Sequence, residues 1–266
     1  MNVVITGSTR GIGRGMAQEF VARGHKVVVS GRQTASVEAA VAELNKQAAG
    51  HATGLACDVA DISQVRALWA HATEQFGPVD IWINNAGVTN RKMNLDEIPD
   101  EQIQAVTQTN FAGLLNTCKV ALGGMKQQGH GKIFNMEGFG SDGLTKPGMS
   151  AYGSSKVALR YLTKAMVQEY KDTPLIIGYM SPGIVVTDLL LKDLNDQNSK
   201  EFQERKWLLN IVADRVETVA PVLVEGALNA SKTGAAVRWM SIWQVLGRFI
   251  KSRFVKRDVL SSVEST

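Results

Sequence analysis

Residues 2–13 read NVVITGSTRGIG, an apolar run closed by a threonine, three glycines and the start of a helical pattern. NVVIT is rich in β-branched residues and reads as a strand. Gly7, Gly11 and Gly13 fall at the strand-to-helix turn. Glycines there permit a tight turn and let the backbone approach a pyrophosphate. A helix starting near Gly11 offers phosphates its unpaired N–H groups and the positive end of its dipole. Position after a first strand and before a helix is what gives the pattern meaning.

The same alternation continues outward. KVVVS, HATGLAC, VDIWIN, KIFNM and PLIIGYM read as further strands, and residues 11–23, 34–48, 61–75, 100–128 and 150–170 carry apolar positions three and four apart. The strands are nearly continuous apolar runs, as strands covered on both faces should be. This predicts an α/β fold, a single doubly wound parallel sheet with helices on both faces. No linker or repeat interrupts it, so residues 1–266 are expected to form one domain. Residues 186–212 read as one or two helices inserted after the sixth strand. Ligands of such sheets sit outside the carboxyl ends of the strands, so the insertion is placed to act as a lid or forms an ordinary surface helix pair.

Bulk properties narrow the function. With 44% hydrophobic and 20% charged residues the chain is an ordinary globular one. A net charge of +4 with no basic block in the body gives no argument for nucleic acid. The two cysteines make no disulfide framework and suit a reducing, cytoplasmic compartment. The four histidines have no zinc-site spacing, so no metal is expected. No basic n-region precedes VVIT, and no run reaches the roughly 18 apolar residues of a membrane span.

The second strand ends in Ser30-Gly31-Arg32, where an NAD site would carry an acid for the ribose hydroxyls. Arg32 stands there instead, and Arg10 lies inside the glycine loop. Two guanidiniums can flank a 2′-phosphate, so the cofactor is expected to be NADPH. Its cradle is expected to comprise Gly7, Ser8, Thr9, Arg10, Gly11, Ile12 and Gly13. Asp58 and Val59 after strand three, and Asn85, Ala86 and Gly87 after strand four, border the same crevice. PGIVVT after strand six brings Pro182, Gly183, Val185 and Thr187 within reach of the nicotinamide carboxamide.

Tyr152 and Lys156 stand four apart on a predicted helix and share one face. A free tyrosine titrates near 10, so half ionisation at pH 7 requires about three units, roughly 4 kcal/mol. An ammonium about 4 Å away supplies that order of energy at an effective dielectric near 20. A phenol tuned this way can exchange a proton at a carbonyl oxygen while a hydride moves at carbon.

Together TGSTRGIG, NNAG (84–87), Asn110, YGSSK (152–156) and PGIVVT (182–187) resemble the short-chain dehydrogenase/reductases, in family order and spacing. The resemblance implies a Rossmann-type oxidoreductase, commonly a homo-oligomer. It implies Tyr152 as proton donor, Lys156 as its tuner and ribose ligand, and Asn110 as holder of a relay water. The chain departs from the family where a serine usually precedes the tyrosine, because Asn135-Met136 is followed by Glu137 and Gly138. NMEGFGSDG (135–143) instead is similar to a stretch of the chlorophyll b reductases of the chlorophyll cycle, and SPGIVVTDLL and WLLNIVADRVETVAPVLV resemble the same branch. This implies NADPH-dependent reduction of the 7-formyl group of chlorophyll(ide) b to hydroxymethyl. The alternatives are another bulky aldehyde or ketone, or a dinucleotide sensor without chemistry. Ser141 is the expected substitute for the missing hydroxyl; a protonated Glu137 or a loop N–H are the other candidates.

The segment 232–260 reads as a basic amphipathic tail, with Trp239, Trp243, Leu246, Ile250 and Phe254 three or four apart. From Lys232 to Arg257 there are seven Lys/Arg and no acid. Such a helix suits either peripheral contact with a membrane, here a photosynthetic one, or an interface with core or partner subunit.

Overall fold

The computed structural model describes residues 1–187, 190, 200–255 and 257–260. In chain order the strands are β1 Asn2–Ile5, β2 Lys26–Gly31, β3 Ala52–Ala56, β4 Ile81–Asn84, β5 Gly131–Met136, β6 Leu175–Ser181, β7 Ile184–Val186, β8 Ala213–Arg215 and β9 Ala235–Arg238. Seven of them form one sheet in the order β3-β2-β1-β4-β5-β6-β9, and every neighbour pair is parallel. The strand order reverses beside β1, where β2 lies on one side and β4 on the other, the switch point at which such sheets bind ligands.

The helices are α1 Gly11–Ala22, α2 Thr34–Gln47, α3 Ile62–Phe76, α4 Asp100–Val106, α5 Gly113–Gln128, α6 Ser150–Glu169, α7 Lys200–Val212, α8 Val216–Asn229 and α9 Ile242–Lys251. Two buried clusters divide the sheet's faces. Val3, Ile5, Val27 and Val29 pack toward α1 and α8 through Phe20, Val219 and Leu223. Val4, Val28, Trp82 and Ile133 pack the other way, onto Leu68, Cys118 and Met166 of α3, α5 and α6. Successive strand residues feed opposite cores, which is why the strands read as continuous apolar runs rather than alternating ones. Cys57 and Cys118 are both buried in the second cluster, and burial pushes each thiol up to about 12.

Three details differ from the sequence expectation. Residues 100–128 form α4 and α5 joined by a π-helical turn over Thr107–Ala112, which carries Asn110. β9 adds a seventh strand inside the segment expected to be tail. Its four residues AAVR are too short to announce themselves, and only pairing with β6 makes them a strand. Of the expected lid, α7 is present and β7 pairs with β8, while positions 188–189 and 191–199 lie outside the described residues.

A buried polar chain fixes the carboxyl ends of the central strands. Trp82 Nε1 donates to Asn84 Oδ1 at 2.7 Å, Asn84 Nδ2 to Asn135 Oδ1 at 2.8 Å, and Asn135 Nδ2 to Thr163 Oγ1 at 2.8 Å. The Trp82, Asn84, Asn135 and Thr163 side chains thus partner one another, and the chain locks β4, β5 and α6 into one register.

Candidate active site

Two clefts meet at the switch point. The first is lined by Gly7, Thr9, Arg10, Gly11 and Ile12, by Gly31 and Arg32, by Asp58 and Val59, and by Asn85, Ala86 and Gly87. The second, of about 390 Å³, is lined by Met136 to Phe139, Met149, Tyr152, Lys156, and Ser181 to Val185. Ile12, Asn85, Gly87 and Thr187 line both, so the glycine loop and the Tyr152 helix share one continuous crevice.

The loop glycines are required by space. A Cβ on Gly7, whose φ is +63°, would come 2.8 Å from Ala86 Cα, and one on Gly13 would overlap Asn85 Nδ2 and the Gly7 carbonyl. Asn85 Nδ2 donates to the Thr6 and Gly7 carbonyls at 3.0 and 2.9 Å, tying the loop to the end of β4. Ser8 works from behind. It is buried, donates its hydroxyl to Ile5 O and accepts the Ser30 N–H, and it is not among the residues lining the crevice. Arg10 and Arg32 are exposed at the crevice mouth, on the side of Gly31. A shape that excludes Cβ atoms at the helix start and presents two guanidiniums fits a dinucleotide with its phosphates on α1.

At the other end, α6 begins at Ser150 and its first turn is held by Asn90, which is buried and accepts the Tyr152 N–H at 3.2 Å. Tyr152 and Lys156 are both buried and face the same cleft, with Lys156 Nζ 5.7 Å from the phenol ring centre. Lys156 Nζ donates to Met136 O at 3.0 Å. Burial lowers its pKa to about 8, against the upward pull of the Glu137 carboxylate. Asn110 grips Val88 through both ends of its amide, at 2.9 and 2.8 Å, and its Nδ2 also reaches Ser155 Oγ at 3.1 Å. Ser155 donates to Tyr152 O at 2.6 Å, which links the π-helical turn to α6.

Gly138 stands where the missing side chain would be. A Cβ there would overlap the Tyr152 hydroxyl and lie 3.1 Å from Lys156 Cε. Ser141 is buried one layer back, where its hydroxyl accepts the Gly138 N–H at 3.1 Å; it is not among the cleft-lining residues. Glu137 does line the cleft and is buried. Its Oε1 lies 3.2 Å from Arg160 Nη1 but out of line for a hydrogen bond. Burial raises the Glu137 pKa, while Arg160 and a hydrogen bond with Ser181 oppose the rise. Sequence reasoning missed Arg160 as a site neighbour, although 152, 156 and 160 continue one helical face at spacing four. Met149 and Leu190, which with Met136, Phe139, Ile184 and Val185 make up much of the apolar cleft wall, were not singled out by sequence reasoning.

A twisted parallel sheet with a phosphate-fitting loop at its switch point, joined to a Tyr–Lys pair, defines a nicotinamide dinucleotide oxidoreductase of Rossmann type. The model of the short chain dehydrogenase family matches residues 1–198, and the chain belongs to that family. The chain is 38% identical over 230 residues to the chlorophyll(ide) b reductase NOL, chloroplastic, of Arabidopsis thaliana. That match covers 84% of this chain and 64% of the relative, so the chain spans less than two thirds of that protein's length. Among solved structures, levodione reductase is similar with a TM-score of 0.81 at 25% identity, over 91% of this chain and 96% of that one. ElxO with NADP bound is similar with a TM-score of 0.78 at 25% identity, over 89% and 96%.

Proposed function

We propose that the protein is an NADPH-dependent carbonyl reductase whose substrate is the 7-formyl group of chlorophyll(ide) b, reduced to 7-hydroxymethyl. The observation that carries the reading is the meeting of the Tyr152 hydroxyl and Lys156 at Gly138, in a cleft continuous with the glycine loop. The identity to chlorophyll(ide) b reductase NOL supports the chlorin as substrate. Arg10 and Arg32 at the crevice mouth support a 2′-phosphorylated cofactor.

When bound, the dinucleotide supplies a hydride to the formyl carbon. Tyr152 gives its phenolic proton to the carbonyl oxygen, so one hydride and one proton turn the aldehyde into an alcohol. Lys156, held by Met136 O, stabilises the phenolate left behind and would hold the ribose of the dinucleotide when it is bound. Asn110 keeps the end of β4 and α6 at fixed separation. Ser141 acts through Gly138, holding the loop so that its backbone lies against the phenol. The apolar wall of Met149, Ile184 and Leu190 suits the flat face of a large macrocycle. Exposed Phe111, Leu115, Val157 and Tyr161 give a homo-oligomer a surface to bury.

The test is an absorbance assay with enzyme, NADPH and chlorophyllide b. Loss of the formyl group moves the chlorin spectrum directly. An unchanged spectrum from protein shown to bind NADPH removes the chlorin and leaves a reductase of another bulky carbonyl compound.

A further inference from the structure

Helix α9 faces the wrong way for a helix that packs by its apolar side. Asp214, the middle residue of β8, is 2% exposed, and its carboxylate collects three side chains of the C-terminal segment. Arg248 donates to it at 2.6 and 3.1 Å, Arg257 at 2.7 Å, and Trp239 Nε1 at 2.7 Å. This clamp turns the Arg248 side of α9 onto the body. The opposite side carries Trp243, Leu246 and Ile250, which are 77%, 48% and 65% exposed, and continues into Phe254 at 84%. Amphipathic helices of globular proteins ordinarily bury that stripe and show the charges to water.

The helix is also preformed. Ser241 accepts the Gln244 N–H at 3.3 Å, and Gln244 returns the bond to the Ser241 N–H at 2.7 Å, a reciprocal cap that fixes its first turn. Arg253 follows the helix on the side of the apolar stripe, and Lys251 stands at the stripe's edge, beside Arg248 at the cavity over Asp214; both are exposed, and no carboxylate pairs with either among the described residues. No acid occurs in the sequence from Lys232 to Arg257.

We propose that α9 docks on an anionic lipid surface, with Trp243, Leu246, Ile250 and Phe254 entering the acyl boundary and Lys251 and Arg253 meeting headgroup phosphates. A face that pairs bulky apolar groups with uncompensated cations matches that environment on both counts. A second copy matches only the first, because face-to-face contact would bring the cations of both chains together without an acid between them. Among the described residues no helix is long and apolar enough to cross a membrane. The inference rests on the surface of α9 alone and is independent of which carbonyl compound is reduced.

The experiment is co-sedimentation of the full chain with vesicles of phosphatidylcholine alone or mixed with phosphatidylglycerol. Binding is expected to the mixed vesicles, with a blue shift of tryptophan emission that Trp243→Phe removes. Because these side chains are exposed, Trp243→Ala/Ile250→Ala should fold normally, keep NADPH binding and stay in the supernatant. Lys251→Gln/Arg253→Gln should weaken binding about thirtyfold, as the loss of two headgroup contacts requires. Wild-type protein left in the supernatant with mixed vesicles overturns the proposal, as does undiminished binding by the Trp243/Ile250 variant. A lipid-free oligomer that the same variant converts to monomer in sedimentation velocity also overturns it, since the face would then be a self-interface.

Discussion

Replacing Glu137 by glutamine is expected to move the titration of Lys156 downward, and with it the alkaline limb of turnover. Burial brings Lys156 from 10.5 to about 8. That drop is worth roughly 3 kcal/mol in favour of the neutral amine at 1.36 kcal/mol per unit. Glu137 is the charge that opposes it. A charge–charge interaction of about 1 kcal/mol, the order found at an effective dielectric near 20, corresponds to about one unit, and its removal should lower Lys156 on that scale. In the proposed mechanism the charged amine is the form that tunes Tyr152. Activity is therefore present below the folded pKa and lost as pH rises through it, near 8 in the wild type and at lower pH in Glu137→Gln. At pH 8 the charged fraction falls from about one half to about one tenth, an expected fivefold loss, while at pH 6 it stays above about nine tenths. The raised pKa of Glu137 brings the two proteins together further at the acid end, because a protonated carboxyl exerts no such pull. Two measurements read this. One is kcat/KM for chlorophyllide b against pH in both proteins. The other follows Lys156 by NMR in cofactor-free, isotopically labelled protein and needs no substrate. A wild-type Lys156 titrating near its ordinary value, or identical titrations in the two proteins, refutes the reasoning.

Three further outcomes are expected. Tyr152→Phe should leave NADPH binding within about twofold and reduce hydride transfer by at least a hundredfold, as loss of a general acid does; equal single-turnover rates would remove Tyr152 from the chemistry. Arg10→Ala/Arg32→Ala should raise KM for NADPH about thirtyfold or more and leave NADH unchanged. Each exposed guanidinium–phosphate contact is taken as about 1 kcal/mol after solvent screening; parallel losses for both cofactors would contradict the 2′-phosphate reading. Gly138→Ala should cost about 1–3 kcal/mol of stability and lower turnover by about a hundredfold while sparing NADPH affinity. Its Cβ displaces the phenol and not the glycine loop, and wild-type turnover in that variant would show that the loop yields instead.

The fold was legible because its signals are local. Each strand carries its own apolar run, and Gly7, Gly11 and Gly13 mark the strand-to-helix turn, where Gly7 and Gly13 leave no room for a Cβ. Tyr152 and Lys156 were legible for the same reason, since spacing four on a helix fixes a common face. Glu137, Gly138 and Ser141 were visible as a departure from the family pattern, but their roles were not. Which of three adjacent residues touches the phenol depends on a loop path set by Met180 O, which accepts the Glu137 N–H at 2.8 Å, and by the Ser141 brace.

The C-terminal segment marks the limit most clearly. Its period of three and four correctly announced a helix with an apolar stripe, yet placed Trp239 on that stripe. Trp239 lies before the helix and is bonded to Asp214, twenty-five positions earlier. By itself, then, the sequence determined the sheet, the glycine turn after β1 and the common face of Tyr152 and Lys156, because each is written in neighbouring residues. Only the tertiary structure decided that β9 joins the sheet, that Gly138 backs the phenol, and that α9 turns its apolar side outward. Those outcomes depend on contacts between distant parts of the chain, and a buried carboxylate on β8 leaves no periodic trace in the helix it orients.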